Sequence, residues 1–398
     1  MNDARGGRQP LSSHSPRKRV VLLGAGHAHL EAIRRAGAFT RRGIDLVVVA
    51  ENPYWYSGLA TGMLGGFHEP EDDQIDVAAL VERGGGTFID DRVAAIDPIS
   101  KTVELASGAP LSYGVLSLGL GSEVPVASVE GLAERVASED RSAIAAKPIA
   151  NLWRLRQEVE ARLERARRAG ERRTTIDIVV IGGGVTACEI AANVLGLIER
   201  EGTAGLATVT LIAREARLVE SWPARAAAIV AASLQRRGAT LCAGTTAVRL
   251  EGHAVVTADG RRAPYDLVVA ALGLAPSRLI AGTGLPTNRH GALLVDESLR
   301  SVGDPQVFGG GDCIAIGDRE LPRVGVYGVR QAPILDHNLL ATLEGRPLRR
   351  FRPQRRFLLI MNLGDGTALA VRGGWVWHGL LALWLKDWID RRYVAKYR

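Results

Sequence analysis

Two stretches of the chain carry the same alternation of apolar and polar positions. Arg19 to Leu23 is a short β-branched, apolar run that meets a glycine turn at Gly24-Ala25-Gly26. Apolar residues at helical spacing follow from His29 to about Ala38, and a second apolar run occupies Asp45 to Ala50. Short apolar runs suit buried strands and the longer periodic stretch suits a helix, so this is a βαβ unit. The signals return in the same order. Ile176 to Ile181 is apolar, Gly182-Gly183-Gly184 turns, a helix is expected from Ala187 to about Arg200, and Ala207 to Ala213 is a strand.

Between the copies lie β-rich segments and a charged amphipathic stretch, Asn151 to Arg168, which predicts a surface helix leading into a second domain. Beyond the second copy come short strands ending in Tyr265 to Leu272. Val307 to Cys313 (VFGGGDC) then opens another helix-bearing segment, and Trp375 to Arg398 reads as a separate aromatic and basic helix. The pattern as a whole predicts an α/β fold with two Rossmann-like, three-layer dinucleotide-binding domains.

Composition narrows this further. A chain of 398 residues suits two or three domains. The 46 glycines exceed the usual share and cluster after apolar runs, as tight turns and close ligand approach require. The formal charge of +7 is compatible with phosphorylated cofactors or anionic lipid, and no nucleic-acid motif accompanies it. Cys188, Cys242 and Cys313 are far apart, with neither CxxC nor metal-ligand spacing, so neither a disulfide framework nor a metal site is expected. Met1 to Pro16 is polar, lacks the apolar core of a signal peptide, and is expected to be a mobile tail. No run reaches the roughly 18–20 apolar residues of a membrane-spanning helix.

In a Rossmann turn the first glycine makes the bend and the second lets backbone approach a pyrophosphate. The third small residue lets the helix pack closely. Gly182, Gly184 and Ala187 satisfy all three positions; Gly24 and Gly26 satisfy two, and His29 stands at the third. Glu51, just past the second strand of the first copy, is placed to bind an adenosine ribose. In the second copy the strand ends in Ala213 and is followed by Arg214, which could pair with a 2′-phosphate and favour NADPH, or be a solvated charge.

Five segments carry a resemblance to a known family: VVLLGAGHAH (20–29), YGVLSLGLGSEVP (113–125), VVIGGGVTACE (179–189), YDLVVAALGLAPS (265–277) and VFGGGDC (307–313). In this order they resemble the pyridine nucleotide-disulfide oxidoreductase superfamily. The resemblance implies FAD on Gly24, Gly26 and Glu51, with Asp312 at the ribitol or pyrophosphate region. It implies NAD(P)H on Gly182, Gly184, Ala187 and Arg214, and adds Gly273 among the cofactor-binding residues. The NAD(P) domain would be inserted in the FAD domain. The FAD domain would comprise 17–150 and 286–345, the NAD(P) domain 151–285, with a tail at 1–16 and a flavin-flanking, membrane- or interface-binding segment at 346–398.

Within the superfamily the chain resembles the branch of type II NADH dehydrogenases and sulfide:quinone reductases. It is most similar to NADH-dehydrogenase-like proteins related to the module fused to some selenide, water dikinases. GHAHLE (26–31), NPYWYSGLATGMLGG (52–66), AAKPI (145–149), GVYGVRQAP (325–333) and KDWIDRRY (386–393) carry that likeness. It implies that Glu189 lies near nicotinamide and flavin, where a carboxylate could orient the carboxamide or relay a proton. It also implies that Gln331 lies beside flavin and quinone, although Tyr327 replaces another family glutamine there. Gly58, Gly62, Met63, Gly65 and Gly66 would let the chain run close to the flavin ring.

Pro53 to Pro70 holds no cysteine, which excludes the flavin-adjacent pair of disulfide reductases and makes sulfide:quinone chemistry a lesser alternative. What remains is a relay from NAD(P)H through FAD to an acceptor, expected to be a quinone. Alternatives are a ferredoxin- or rubredoxin-type carrier, or a partner role in selenium metabolism. Trp375, Trp377, Leu380, Leu381, Trp384, Leu385, Trp388 and Ile389 form an apolar surface at helical spacing, with Lys386, Arg391, Arg392, Lys396 and Arg398 beside it. Such a helix suits a membrane interface or docking on protein, a homodimer partner included. The expected location is cytoplasmic or on the inner face of the cytoplasmic membrane.

Overall fold

The computed structural model describes residues 18–168, 175–317, 319 and 321–398, so the tail expected at Met1 to Pro16 lies outside the described residues. The chain divides into two interleaved units. One comprises residues up to Asn52, Asp76–Gly121 and Pro276–Arg352; the other comprises Pro53–Ile75, Ser122–Ala275 and Pro353–Arg398.

The first unit is built on five parallel strands in the order Val307–Gly309, Val115–Leu118, Arg19–Leu23, Asp45–Ala50, Thr87–Asp90. Val20 pairs with Leu46 on one side and Val115 on the other. A parallel strand covered on both faces reads as a continuous apolar run, and Val20 to Leu23 are all fully buried. The helix after the first turn is shorter than its spacing predicts. It runs Leu30–Arg34, breaks at Arg35, and resumes at Ala36–Thr40. Arg35 has left helical geometry there and pairs with the buried Asp336, so a long-range ion pair coincides with the break.

The second unit repeats the plan. Its five parallel strands run Ala143–Ala145, Leu267–Ala270, Ile176–Ile181, Ala207–Ala213, Thr240–Ala243. The helix after its glycine turn, Val185–Arg200, begins two residues earlier than the spacing predicts. Asn151–Arg168 is helical over the expected range, with Leu152, Leu155, Val159 and Leu163 turned into the core of this unit. Arg156–Glu160 and Arg162–Glu158 pairs, four residues apart, run along its partly buried flank, where Arg156 also donates to the Met63 and His68 carbonyls. Helix Ser57–Leu64 packs on both Asn151–Arg168 and Val185–Arg200.

The last segment corrects an expectation. Trp375 to Arg398 is not one helix: Trp375–Gly379 is the third strand of an antiparallel sheet with Leu359–Asn362 and Ala368–Arg372. The helix is Leu380–Ala395. Gly379, at φ 143°, makes the corner between strand and helix that the helical spacing of tryptophans conceals.

Leu155 is fully buried whereas Arg154 on the same helix is exposed. Leu155→Ala is expected to cost about 2–5 kcal/mol through lost burial and a residual cavity. Arg154→Ala should stay within about 0.5 kcal/mol. Urea midpoints of the two variants check this.

Candidate functional site

Both glycine turns are forced by close backbone approach. Gly24 lies at φ +88°, and a Cβ there would sit 2.4 Å from the Gly119 carbonyl oxygen. At Gly182, φ +139°, a Cβ would sit 2.2 Å from the Ala271 carbonyl oxygen. The Gly24 amide donates to Val49 O at 2.8 Å and the Gly182 amide to Ile212 O at 2.8 Å. Beside these bends the second glycines are open. A Cβ at Gly26 would find only Gly119 O at 3.7 Å, and one at Gly184 would meet nothing within 4 Å. Each second glycine therefore leaves its backbone approachable by a large anion, the cradle a dinucleotide needs.

Around the first turn, the chain from Gly310 to Cys313 comes close. A Cβ at Gly310 would lie 2.8 Å from that of Ala28, and one at Gly328 would lie 3.0 Å from the His27 Cβ. Gln331, buried on helix Gly325–Glu344, accepts the Gly311 amide through Oε1 at 2.6 Å. It thereby fixes the turn that carries Asp312, whose carbonyl accepts Arg323 Nε at 3.2 Å. Gly24, Gly26, Asp312 and Gln331 are thus gathered in one unit. Glu51 is exposed and gripped by Arg92, Nη2 to Oε1 at 2.6 Å. Arg92 has no distinguishing motif and is missed by sequence reasoning.

In the second unit Ala187 is fully buried beneath Gly182, 3.1 Å from where a Cβ would stand. Arg214 is exposed and bound through Nη2 to Glu215 Oε1 at 2.9 Å. The other oxygen, Glu215 Oε2, would lie 3.1 Å from a Cβ on Gly183. The Gly244 amide donates to Glu215 O at 3.0 Å, so its backbone is pinned. The strand ending at Ala213 therefore has a carboxylate brought back over the turn from two residues on. Gly273 has φ +96° and open space about it.

Glu189 Oε1 accepts the Thr61 hydroxyl at 3.0 Å and the Asn362 amide at 2.8 Å. Burial raises the Glu189 carboxyl above its usual range, partly offset by the attraction of Lys386. The same lysine binds Asp390 Oδ2 at 2.7 Å and the Gly58 carbonyl. Burial alone would lower Lys386, but Asp390 and Glu189 outweigh it and hold the ammonium above its usual range. Tyr56 donates to Asp390 Oδ1 at 2.8 Å. Asp73 is fully buried, neither carboxyl oxygen has a hydrogen-bond partner in the protein, and burial pushes it up to about 9. The sequence pattern puts Lys386 among the cations beside the exposed apolar face, whereas the structure turns it inward. The four-residue spacing of Lys386 and Asp390 within KDWID signals the ion pair but not its burial.

The small residues of 58–66 have a packing cause. A Cβ at Gly58 would lie 2.5 Å from Asp390 Oδ1, at Gly62 2.6 Å from the His68 ring, and at Gly65 2.6 Å from Asn193 Oδ1. Beside Gly62 the nearest side chain is the His68 ring. Burial pushes the thiols of Cys188 and Cys313 up to about 12 and about 11, so both are protonated at neutral pH. Cys242 is also a free thiol.

A family model described as pyridine nucleotide-disulphide oxidoreductase matches residues 18–332. The chain belongs to this family. It is accordingly an FAD-dependent pyridine nucleotide oxidoreductase that uses NAD(P)H, and the open glycine cradles fit both groups. Among curated relatives, it is 27% identical over 329 residues to the nitric oxide reductase FlRd-NAD(+) reductase of Aeromonas hydrophila, covering 77% of this chain and 75% of that one. It is 26% identical over 372 residues to an NADH dehydrogenase-like protein of Mycobacterium tuberculosis, with 89% and 88% covered. The fold matches NDH2 from Plasmodium falciparum, in complex with NADH, at a TM-score of 0.79 and 13% identity, over 96% and 97% of the two chains. It also matches sulfide:quinone oxidoreductase from Aquifex aeolicus at 0.76 and 18% identity, over 96% and 91%.

The oxidoreductase carries a pH signature at Asp73. Its carboxyl keeps a proton in the folded state up to about pH 9 but loses it near pH 4 when unfolded. Between those values the folded state binds the extra proton, so stability falls as pH rises, and the full penalty is reached above about pH 9. Asp73→Asn removes that slope. The stability gain of the variant, measured by urea unfolding, is expected to grow steadily from pH 5 to pH 9; a pH-independent difference would contradict it.

Proposed function

We propose that this oxidoreductase passes electrons from NAD(P)H through FAD to a quinone drawn from a membrane surface. One observation carries the choice of acceptor: the apolar face of the terminal strand and helix. Trp375, Leu380, Leu381, Trp384, Trp388 and Ile389 are exposed, Leu380, Leu381 and Trp384 by 67–71%. Only Ala382, Asp390 and Val394 of the helix are buried. Arg392 lies over the Trp388 ring at 5.5 Å, and Arg391 is half exposed beside it. Tryptophan, leucine and arginine on one exposed face match the boundary of headgroups and acyl chains. Among the described residues no helix is long and apolar enough to cross a membrane, so the attachment would be to one leaflet. A lipid-seated face gives access to a quinone; a small soluble carrier such as a ferredoxin needs no such face.

The residue roles follow from the two cradles. Gly24 and Gly26 hold the FAD pyrophosphate, with Glu51 on the adenosine ribose and Asp312 toward the ribitol. Gly182, Gly184 and Ala187 hold the nicotinamide dinucleotide, and Gly273 leaves its backbone open beside it. Glu189 orients the carboxamide or handles a proton, and Gln331 holds the Gly311 turn. FAD held there would supply the two-electron hydride chemistry that links nucleotide to acceptor. The overall exchange balances as NAD(P)H, a proton and quinone giving NAD(P)⁺ and quinol. The buried, protonated thiols of Cys188 and Cys313 leave sulfide chemistry without a nucleophile there.

Two measurements test this reading. Replacing Trp384 and Trp388 with serine is expected to weaken sedimentation with anionic vesicles by about tenfold or more, since each tryptophan loses its buried area. Quinone reduction in those vesicles should fall in parallel, while anaerobic flavin reduction by nucleotide is unchanged. Equal vesicle binding and quinone turnover in variant and parent would sink the membrane reading, and efficient reduction of a ferredoxin but no quinone would sink the acceptor.

The Arg214–Glu215 pair generates a second expectation. With Glu215 neutral, Arg214 is released toward a 2′-phosphate and the carboxylate no longer repels it. Glu215→Gln is expected to raise the ratio of kcat/KM for NADPH over NADH by about tenfold or more, the scale of one charge-assisted hydrogen bond. An unchanged ratio places both side chains away from the nucleotide.

A further inference from the structure

The two glycine turns are near copies, yet they differ at two positions that touch. In the second, Ala187 lies under the bend, and Ala271 follows the neighbouring strand, its amide on Ile181 O at 2.9 Å and its carbonyl against Gly182. In the first, the same two places hold His29 and Gly119. Gly119 has its amide on Leu23 O at 2.8 Å and its carbonyl against Gly24. A Cβ on Gly119 would lie 2.7 Å from the His29 ring and would meet no other group so closely. Where the second turn has two alanines at these places, the first has an imidazole and a glycine that leaves it room.

That imidazole is fully buried and uses both nitrogens. Nδ1 lies 2.7 Å from Gly24 O and Nε2 lies 2.8 Å from Ser117 Oγ. A carbonyl only accepts, so Nδ1 carries the hydrogen and Nε2 accepts from the serine hydroxyl. Neither bond has a counterpart that an alanine could make. Burial pushes His29 down to about 4, so this neutral form persists across the working range of pH.

We infer that His29 is a positioning residue for FAD: with Gly119 making room, it replaces the third small residue of the turn and clamps the Gly24 carbonyl to the Ser117 strand. The bend then presents the Gly26 backbone at a fixed angle without relying on helix packing alone. Where the second turn is shaped by close fit, the first is shaped by a side-chain strut. The inference rests on the placement of FAD at this turn, proposed above.

The test measures FAD dissociation constants by fluorescence on deflavinated protein, with the thermal unfolding of the apoprotein as a separate readout. His29→Ala is expected to weaken FAD about tenfold, the scale of one buried hydrogen bond. His29→Asn keeps a donor for Gly24 O and should recover most of that loss, whereas His29→Leu should not. Gly119→Ala should weaken FAD in the parent, where its methyl meets the imidazole. In a His29→Ala background it should cost nothing further, since the pair then reproduces Ala187 and Ala271. Full FAD affinity in both His29→Ala and His29→Leu would overturn the inference, as would additive losses in the double variant. Gly26→Val separates the two failures: if it leaves FAD binding intact, FAD is not at this turn and both readings fall. If it abolishes binding while the His29 variants do nothing, only the strut falls.

Discussion

Each half of this protein depends on one close approach between a glycine and a peptide carbonyl. At Gly24 and at Gly182 the next strand's carbonyl stands where a side chain would begin. No other residue fits both the space and the positive φ. This approach lets the first strand stop, reverse its direction and feed a helix whose amides point outward. Everything that makes the two halves chemically useful follows from that local constraint: the open second glycines, the acids beyond the neighbouring strands, and the small or strutted third position.

The second half adds a different kind of constraint. One lysine, Lys386, faces Asp390, Glu189 and Asp73 away from bulk water. A single cation cannot balance three ionised carboxyls in such a medium, so at least one carboxyl stays protonated there. The terminal helix is therefore tied down on its inner side by charge and hydrogen bonds, through Lys386 to Gly58 and Asp390 to Tyr56. Its outer side is left to tryptophan and leucine. A helix with that division of labour can carry an adhesive face without needing that face to hold it in place.

Much of the fold is legible in the sequence because parallel strands buried on both sides leave continuous apolar runs. Arg19 to Leu23, Asp45 to Ala50, Ile176 to Ile181 and Ala207 to Ala213 are found where those runs place them. The glycine turns are legible for the same reason: their geometry permits only one residue type. The failures are equally physical. The strand Trp375–Gly379 has the aromatic content of the helix that follows, and only Gly379 marks the corner. Glu215 reaches its place through a side-chain path that spacing cannot reveal, and Arg92 grips Glu51 across two strands. Asp73 sits in a run of three acids at 71–73 with no pattern to distinguish it, yet it alone of the three is buried completely.

The interleaving of the two units bears on how the chain is made. Each unit is assembled from three separated segments, and the last segments begin at Pro276 and Pro353. The sheet of the first unit has Arg19–Leu23, Asp45–Ala50, Thr87–Asp90 and Val115–Leu118 early, but its edge strand Val307–Gly309 emerges much later. Helix Ser57–Leu64 waits still longer for Lys386, the residue that bonds to its Gly58. Synthesis from the N-terminus normally lets a leading domain close before the next appears. Here the sheet of the second unit is drawn wholly from 143–270, but that of the first lacks its edge strand until Val307–Gly309 has left the ribosome, so the Val115–Leu118 edge stays unpaired through much of translation. An unpaired edge of that kind is a template for pairing with another strand until the late segment covers it.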